Sequence, residues 1–244
     1  MIRAVTVDWW HTLAEPPGGD WEAFAKRTRI EGIQRVLRAH GIECTLARLD
    51  VAYDLWTDHL RRFWREDVDL TADQQAFDLL ASAGFDGVAD KALLADLYEP
   101  IGAPLVERVP DLHPGALETL RALKAGGYRL AIISNTGRTW GRFLRQIQEK
   151  VGLADLFDRR TFSDEERVRK PAREIFERTL ERLGLPPEEA VHVGDDVDAD
   201  VRGAKAVGMR TVWYDTGKWE GAEGSSADAV VHRWPDLPEA LREW

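Results

Sequence analysis

The strongest limit on how this chain folds is one break in an otherwise regular alternation. Residues 3–8 (RAVTVD) form a short β-branched run ending in an acid, and no strand pattern follows between residues 20 and 100. Further runs of the same kind then appear at 128–134 (YRLAIIS), 190–194 (AVHVG) and 210–214 (RTVWY), with a weaker one at 228–232 (DAVVH). Each is apolar, short and bounded by Gly, Asp or Pro, as buried strands are. Helical periodicity fills the intervals at 114–126, 138–151, 172–184 and 198–207. Strands alternating with helices imply a doubly wound parallel α/β sheet of the Rossmann type, covered on both faces.

The strand-free stretch is helical throughout. In residues 21–40, Phe24, Ile30, Ile33, Val36 and Leu37 fall on one stripe; 46–65 and 72–83 read similarly, and 89–98 is a shorter candidate. Turn residues flank it: Pro16, Pro17, Gly18 and Gly19 on entry, and Pro100, Pro104, Pro110 and Pro114 on return. The expected division is therefore a core of residues 1–15 and 105–244 with a helical cap of 16–104 inserted after the first strand. The segment 215–226 (DTGKWEGAEGSS) reads as a loop.

A formal net charge of −10 argues against a nucleic-acid partner, which wants the opposite sign over its footprint. No apolar run is long enough to span a bilayer. The single cysteine, Cys44, rules out an intrachain disulfide. These features suit a cytoplasmic protein, monomer or homodimer, acting on a small molecule.

Ligands of open α/β sheets bind at the C-terminal ends of the strands, and four segments reach that edge. Asp8 ends the first strand, where a carboxylate can attack phosphorus or carbon or merely cap the turn. Thr12 offers a hydroxyl to a ligand oxygen. Ser134-Asn135-Thr136-Gly137 suits an anion-binding nest of amides, or any strand-to-helix turn. Lys170, before Pro171, either neutralises a carboxylate and a phosphoryl oxygen or sits on the surface. Asp195, Asp196, Asp198 and Asp200 form an acidic cluster that repels itself unless a cation joins it, and Mg²⁺ needs only one or two carboxylates with waters and phosphate. Helix capping by Asp198 or Asp200 is the ordinary alternative, which leaves Asp195 unexplained.

Taken in order, these segments resemble the haloacid dehalogenase-like hydrolases, most closely over 170–208 (KPAREIFERTLERLGLPPEEAVHVGDDVDADVRGAKAVGM). The resemblance implies Asp8 as nucleophile, Thr12 and Ser134 as phosphoryl-oxygen donors and Lys170 as the organiser of charge. It implies Mg²⁺ held by Asp8, the carbonyl of Trp10 and Asp195, with Asp200 near Lys170 or a metal-bound water. Asn135, Thr136 and Trp10 would line the substrate site.

One departure matters. Phosphatases of this family carry a second Asp two positions after the nucleophile, as general acid and base; this chain has Trp10 there, and His11 in place of the usual Gly. The missing group is typically worth about 10²–10⁴-fold. Three readings follow. The chain is a Mg²⁺-dependent phosphatase whose leaving group needs no proton or takes one from His11. Alternatively, it cleaves a carbon–halogen or carbon–phosphorus bond, the latter needing a cap lysine such as Lys26 with a depressed pKa. Or it is a weak or inactive binding protein. Arg27, Arg29 and Arg35 on the first cap helix either meet an anionic group or lie on a solvated face, and most cap aromatics are expected to pack the helices.

Overall fold

The computed structural model describes residues 1–218 and 226–244. In chain order the strands are β1 (Ala4–Val7), β2 (Ala14–Glu15), β3 (Asp111–Leu112), β4 (Arg129–Ser134), β5 (Arg159–Phe162), β6 (Ala190–Gly194), β7 (Arg210–Tyr214) and β8 (Ala229–Val231). The helices are α1 (Trp21–Ala39), α2 (Leu46–Trp64), α3 (Ala72–Ser82), α4 (Lys91–Asp96), α5 (Tyr98–Gly102), α6 (Pro104–Glu107), α7 (Ala116–Ala125), α8 (Gly141–Lys150), α9 (Ser163–Glu166), α10 (Arg173–Leu183), α11 (Gly203–Ala206) and α12 (Leu237–Ala240).

Six strands form one parallel sheet in the order β5-β4-β1-β6-β7-β8. β1 lies at its centre, and every residue of β1 and β6 is buried, as a sheet covered on both faces requires. The chain runs outward from β1 through β4 to β5 and then returns to β6 on the other side of β1. The crevice of a doubly wound sheet opens where the order reverses in this way.

β5 carries no sequence signal because it opens on Arg159 and Arg160 and buries only Thr161 and Phe162, as an edge strand can. The β2–β3 pair escapes periodicity because each strand has two residues. It pairs Ala14 with Leu112 and Glu15 with Asp111, tying the chain together where the helical insertion leaves and returns.

That insertion has its own hydrophobic cluster, built on Ile33, Leu37, Leu49, Trp56, Leu60 and Leu79. Trp140 and Phe143 of the sheet-side unit plug into it, while Trp21 and Ala25 of α1 belong to the sheet-side core. Thr45 caps α2 through the Arg48 amide at 3.2 Å, and Thr71 and Gln74 form a capping box on α3. Pro100 and Pro104 do not mark turns. Pro100 lies inside α5 and Pro104 opens α6, where its missing N–H costs no helical bond. α6 thus runs across the expected boundary at 104/105.

The expected single helix over 198–207 is a six-residue π-helical turn, Val197–Arg202, followed by α11. Its cap is neither Asp198 nor Asp200. Asp196 Oδ1 accepts from the amides of Asp198 at 2.9 Å and Ala199 at 3.0 Å. The loop at 215–226 lies partly outside the described residues. Among the described residues, no helix is long and apolar enough to cross a membrane.

Candidate active site

β4, β1 and β6 are neighbours, so the residues that follow them converge at one sheet edge. The Asp8 amide still belongs to the sheet, donating to the Val193 carbonyl at 2.9 Å. The chain then doubles back: the amides of Leu13 and Ala14 both reach the Trp9 carbonyl, at 3.0 and 2.9 Å. His11 sits in this turn at φ 57°, the left-handed region where His is tolerated better than most side chains. Its Nδ1 lies 2.7 Å from Glu15 Oε2, fastening the turn to β2. Trp9 is fully buried in the core, whereas Trp10, edge-on to it with centroids 6.1 Å apart, is partly exposed.

Asp8 faces a crevice of about 190 Å³ that Trp10, His11, Asn135, Lys170 and Asp195 also line. Lys170 Nζ donates to Asp8 Oδ1 at 2.5 Å and to Asp200 Oδ1 at 2.6 Å, and all three side chains are buried. Burial works against the ammonium, but Asp200 and Asp8 outweigh it and raise the Lys170 pKa. Burial drives Asp8 upward; Lys170 opposes this, and Asp200 and Asp195 add to it, so that its carboxyl is pushed up to about 8. Asp200 goes the other way: Lys170 and His192 overcome burial and hold it down at about 2.

Carboxylate oxygens of Asp8, Asp195 and Asp200 lie within 4.8 Å of one another. With Asp8 ionised, one ammonium does not balance three carboxylates, and the excess negative charge suits a hard cation with oxygen ligands. Asp200 is already engaged: Oδ1 receives Lys170 and His192, and Oδ2 accepts the Asp196 amide at 3.0 Å. Asp8 and Asp195 are therefore the fitting pair for Mg²⁺. Asp195 is oriented by the Thr12 hydroxyl, 3.1 Å from Oδ1, while the Trp213 indole N–H donates to its carbonyl at 2.8 Å.

Behind this cluster lies His192. Its Nε2 is 3.0 Å from Asp200 Oδ1, and its Nδ1 is 2.8 Å from the Thr6 hydroxyl. Burial lowers the His192 pKa. A neutral ring with Nε2–H toward the carboxylate and Nδ1 accepting from Thr6 satisfies both contacts. Gly194 is required here by close approach, because a Cβ on it would collide with the Asp200 carboxylate.

Several expected ligand contacts are differently employed. Thr12 is fully buried and serves Asp195. Thr136 is turned into a network away from the crevice: its hydroxyl meets Asp164 Oδ1 at 3.0 Å and Ser163 Oγ at 3.2 Å, and its amide donates to Ser163 Oγ at 2.8 Å. That removes it from any anion nest. Asn135 clamps the Lys170 backbone, accepting from its amide at 2.8 Å and donating to its carbonyl at 2.9 Å. Ser134 Oγ, by contrast, is buried without a hydrogen-bond partner among the described residues, and it does not itself line the crevice. Lys26 is held by Asp50 at 2.8 Å and Asp54 at 2.7 Å; burial works against its charge, but these acids raise its pKa. That is the opposite of what a Schiff-base lysine needs. Arg29 is buried rather than solvated.

Sequence reasoning passed over His192, Arg169 and Asp69. A polar residue inside the apolar run AVHVG was the available signal for His192. The other pair had none, since Asp69 and Arg169 stand a hundred residues apart and are joined at 2.7 Å.

A family model for haloacid dehalogenase-like hydrolases matches residues 2–208. The chain is 40% identical over 133 residues to the glyceraldehyde 3-phosphate phosphatase of Pyrococcus furiosus, covering 52% of this chain and 53% of that protein. It is 37% identical over 147 residues to the ribulose-1,5-bisphosphate 5-phosphatase of Halopiger xanaduensis, covering 60% and 59%. The chain thus aligns with only about half the length of the first relative. The crystal structure of a 2-haloacid dehalogenase from Pseudomonas syringae has the same fold, with a TM-score of 0.69 over 100% of both chains at 23% identity. Given the family match over residues 2–208, which include Asp8, Ser134, Lys170 and Asp195, the chain belongs to the haloacid dehalogenase-like hydrolases.

Proposed function

We propose that the protein is a Mg²⁺-dependent phosphatase for a small phosphorylated metabolite, working through an aspartyl-phosphate on Asp8. The observation that carries this reading is the buried contact of Lys170 with Asp8, in a crevice that Asp195 also lines. A carboxylate oxygen of Asp8 attacks phosphorus as the bond to the leaving oxygen breaks. Lys170 and the Ser134 hydroxyl stabilise the phosphoryl oxygens as negative charge spreads over them. Water then cleaves the new P–O bond, releasing phosphate and restoring Asp8. Asp8, Asp195 and the Trp10 carbonyl would hold Mg²⁺, whose positive charge would let a phosphate dianion approach the Asp8 carboxylate.

The Trp10 indole N–H can donate a hydrogen bond but is too weak an acid to protonate an alkoxide, and the ring has no basicity to activate water. The reading therefore favours leaving groups that depart as stable anions. The helices of residues 16–104 act as a cap that shields the intermediate from bulk water. Both phosphatase relatives are named for small sugar phosphates, which supports a substrate of that size. Carbon–phosphorus cleavage through a Schiff base loses support with Lys26 held as a paired ammonium.

The test is turnover of p-nitrophenyl phosphate, acetyl phosphate and chloroacetate, with Mg²⁺ and with EDTA. Phosphate release that needs Mg²⁺ and falls at least about 10³-fold in Asp8→Asn is expected. Halide release without metal, or an Asp8→Asn variant as active as wild type, overturns the reading.

A further inference from the structure

We infer that the cavity on the far side of Trp10 is a subsite for a second anionic group of the substrate, a carboxylate or phosphate, recognised by Arg138 backed by Arg29. The inference rests on the phosphatase reading for which end is cleaved; the anion site itself does not.

The cavity measures about 170 Å³ and is lined by Trp10, Trp21, Glu22, Arg29, Leu105 and Arg138, among others. Trp10 also lines the Asp8 crevice, so the two spaces meet at this residue. Arg138 stands four residues after Ser134. Four residues span at most about 14 Å even when extended, which keeps the two positions within that distance of each other.

Neither arginine of this cavity is ion-paired among the described residues. Arg29 is 4% exposed, and its guanidinium donates to the Ile101 carbonyl at 2.8 Å and to the Tyr53 hydroxyl at 3.2 Å, both uncharged. Arg138 has a marginal contact to the Thr57 hydroxyl at 3.5 Å and lies 5.5 Å from the Tyr53 ring centroid. Burial lowers the Arg29 pKa, and Arg138 acts in the same direction to a smaller degree. Glu22 lines the cavity too and acts in the opposite sense on Arg29, but it is exposed and pairs with neither arginine among the described residues.

Acids outnumber bases in this chain, 43 to 33. Other arginines find them readily, as Arg169 does with Asp69 and Arg108 with Asp20. Two neighbouring guanidinium groups without one, the inner of them buried, cost stability unless an anion joins them. The planar fork of arginine matches a carboxylate or phosphate at two points. Trp10, Trp21 and Leu105 give the connecting carbons an apolar wall.

The experiment measures binding to the full chain in Mg²⁺ by titration calorimetry, with turnover in parallel. The probes are alkyl monophosphates, ω-carboxyalkyl phosphates and α,ω-alkanediol bisphosphates of two to six carbons. At some length, a doubly anionic probe should bind about 10–100-fold tighter than the monophosphate of equal length; which series gains identifies the anion. Arg138→Met should erase that advantage and Arg138→Lys should keep part of it, which separates recognition from a folding defect. Equal binding of single and double anions at every length overturns the inference, even if all are hydrolysed. An advantage erased by Arg138→Met without any hydrolysis leaves the subsite standing and removes the phosphatase reading instead.

Discussion

His192 Nε2 lies 3.0 Å from Asp200 Oδ1, the same oxygen that receives the Lys170 ammonium at 2.6 Å. A ring buried in the central sheet thus holds the carboxylate that holds the lysine that holds Asp8. His192 touches no substrate and is a positioning residue. Losing a hydrogen bond to a charged group costs about 1.5–3 kcal/mol. His192→Leu is therefore expected to lower Tm by about 3–12 °C and kcat by roughly tenfold, with KM little changed. His192→Gln should recover part of both. Unchanged kcat in a destabilised His192→Leu protein limits the ring to a structural role.

Trp10 predicts a steep dependence of rate on leaving group. Aryl and acyl phosphates should turn over, while alkyl phosphates should lag behind them. Trp10→Asp should raise the alkyl rates toward the about 10²–10⁴-fold that a general acid contributes, while changing the aryl rates far less. A plot of log kcat/KM against leaving-group pKa for both proteins decides it; parallel lines reject the assignment.

Asp69 fastens the helical insertion to the loop that carries Lys170. It accepts from Ser163 Oγ at 2.6 Å, Arg169 Nη1 at 2.7 Å and the Trp64 indole at 3.2 Å. Arg169 in turn donates its amide to the Asp67 carbonyl at 2.8 Å, next to a Val68–Val168 bridge. Removing one partner of a buried pair strands the other charge. Asp69→Ala should cost about 3–5 kcal/mol, a Tm loss of about 6–20 °C, and hasten proteolysis between α2 and α3. Melting and limited proteolysis check both.

Asp164 predicts a pH effect away from the crevice. Burial pushes its carboxyl up to about 7; the Gly141 amide and the Thr136 hydroxyl oppose this, while Glu165 and Asp69 add to it. The folded pKa thus lies above the unfolded one, so folding retains a proton that the unfolded chain releases. The stabilising contribution is complete below about pH 4, declines as pH rises, and is lost above about 7. Asp164→Asn keeps an oxygen for both donors without the charge. It should match wild type below about pH 4 and exceed it above 7 by up to roughly 4 kcal/mol. Urea melts at pH 4 and pH 8 test this, and equal differences at both values contradict it.

Much of the architecture is legible in the chain. β1, β4, β6 and β7 are continuous apolar runs because parallel strands are buried on both faces, and the helical stripes follow from one-sided burial. The segments bearing Asp8, Ser134, Lys170 and Asp195 stand out because each leaves a strand or precedes a helix in a local pattern. β5, with two arginines, and the two-residue β2 and β3 lack such a pattern and form only because neighbouring strands present unpaired amides and carbonyls.

What local pattern cannot specify is the partner of a polar side chain. Thr12, Thr136 and Asn135 have the right chemistry to touch a ligand, yet Asp195, the Ser163–Asp164 pair and the Lys170 backbone take their hydrogen bonds. His192, Asp69, Arg29 and Arg138 gain their significance from groups far away in the chain. Periodicity is a property of neighbours a few residues apart, whereas burial and charge compensation are set by whatever the fold brings within a few ångströms.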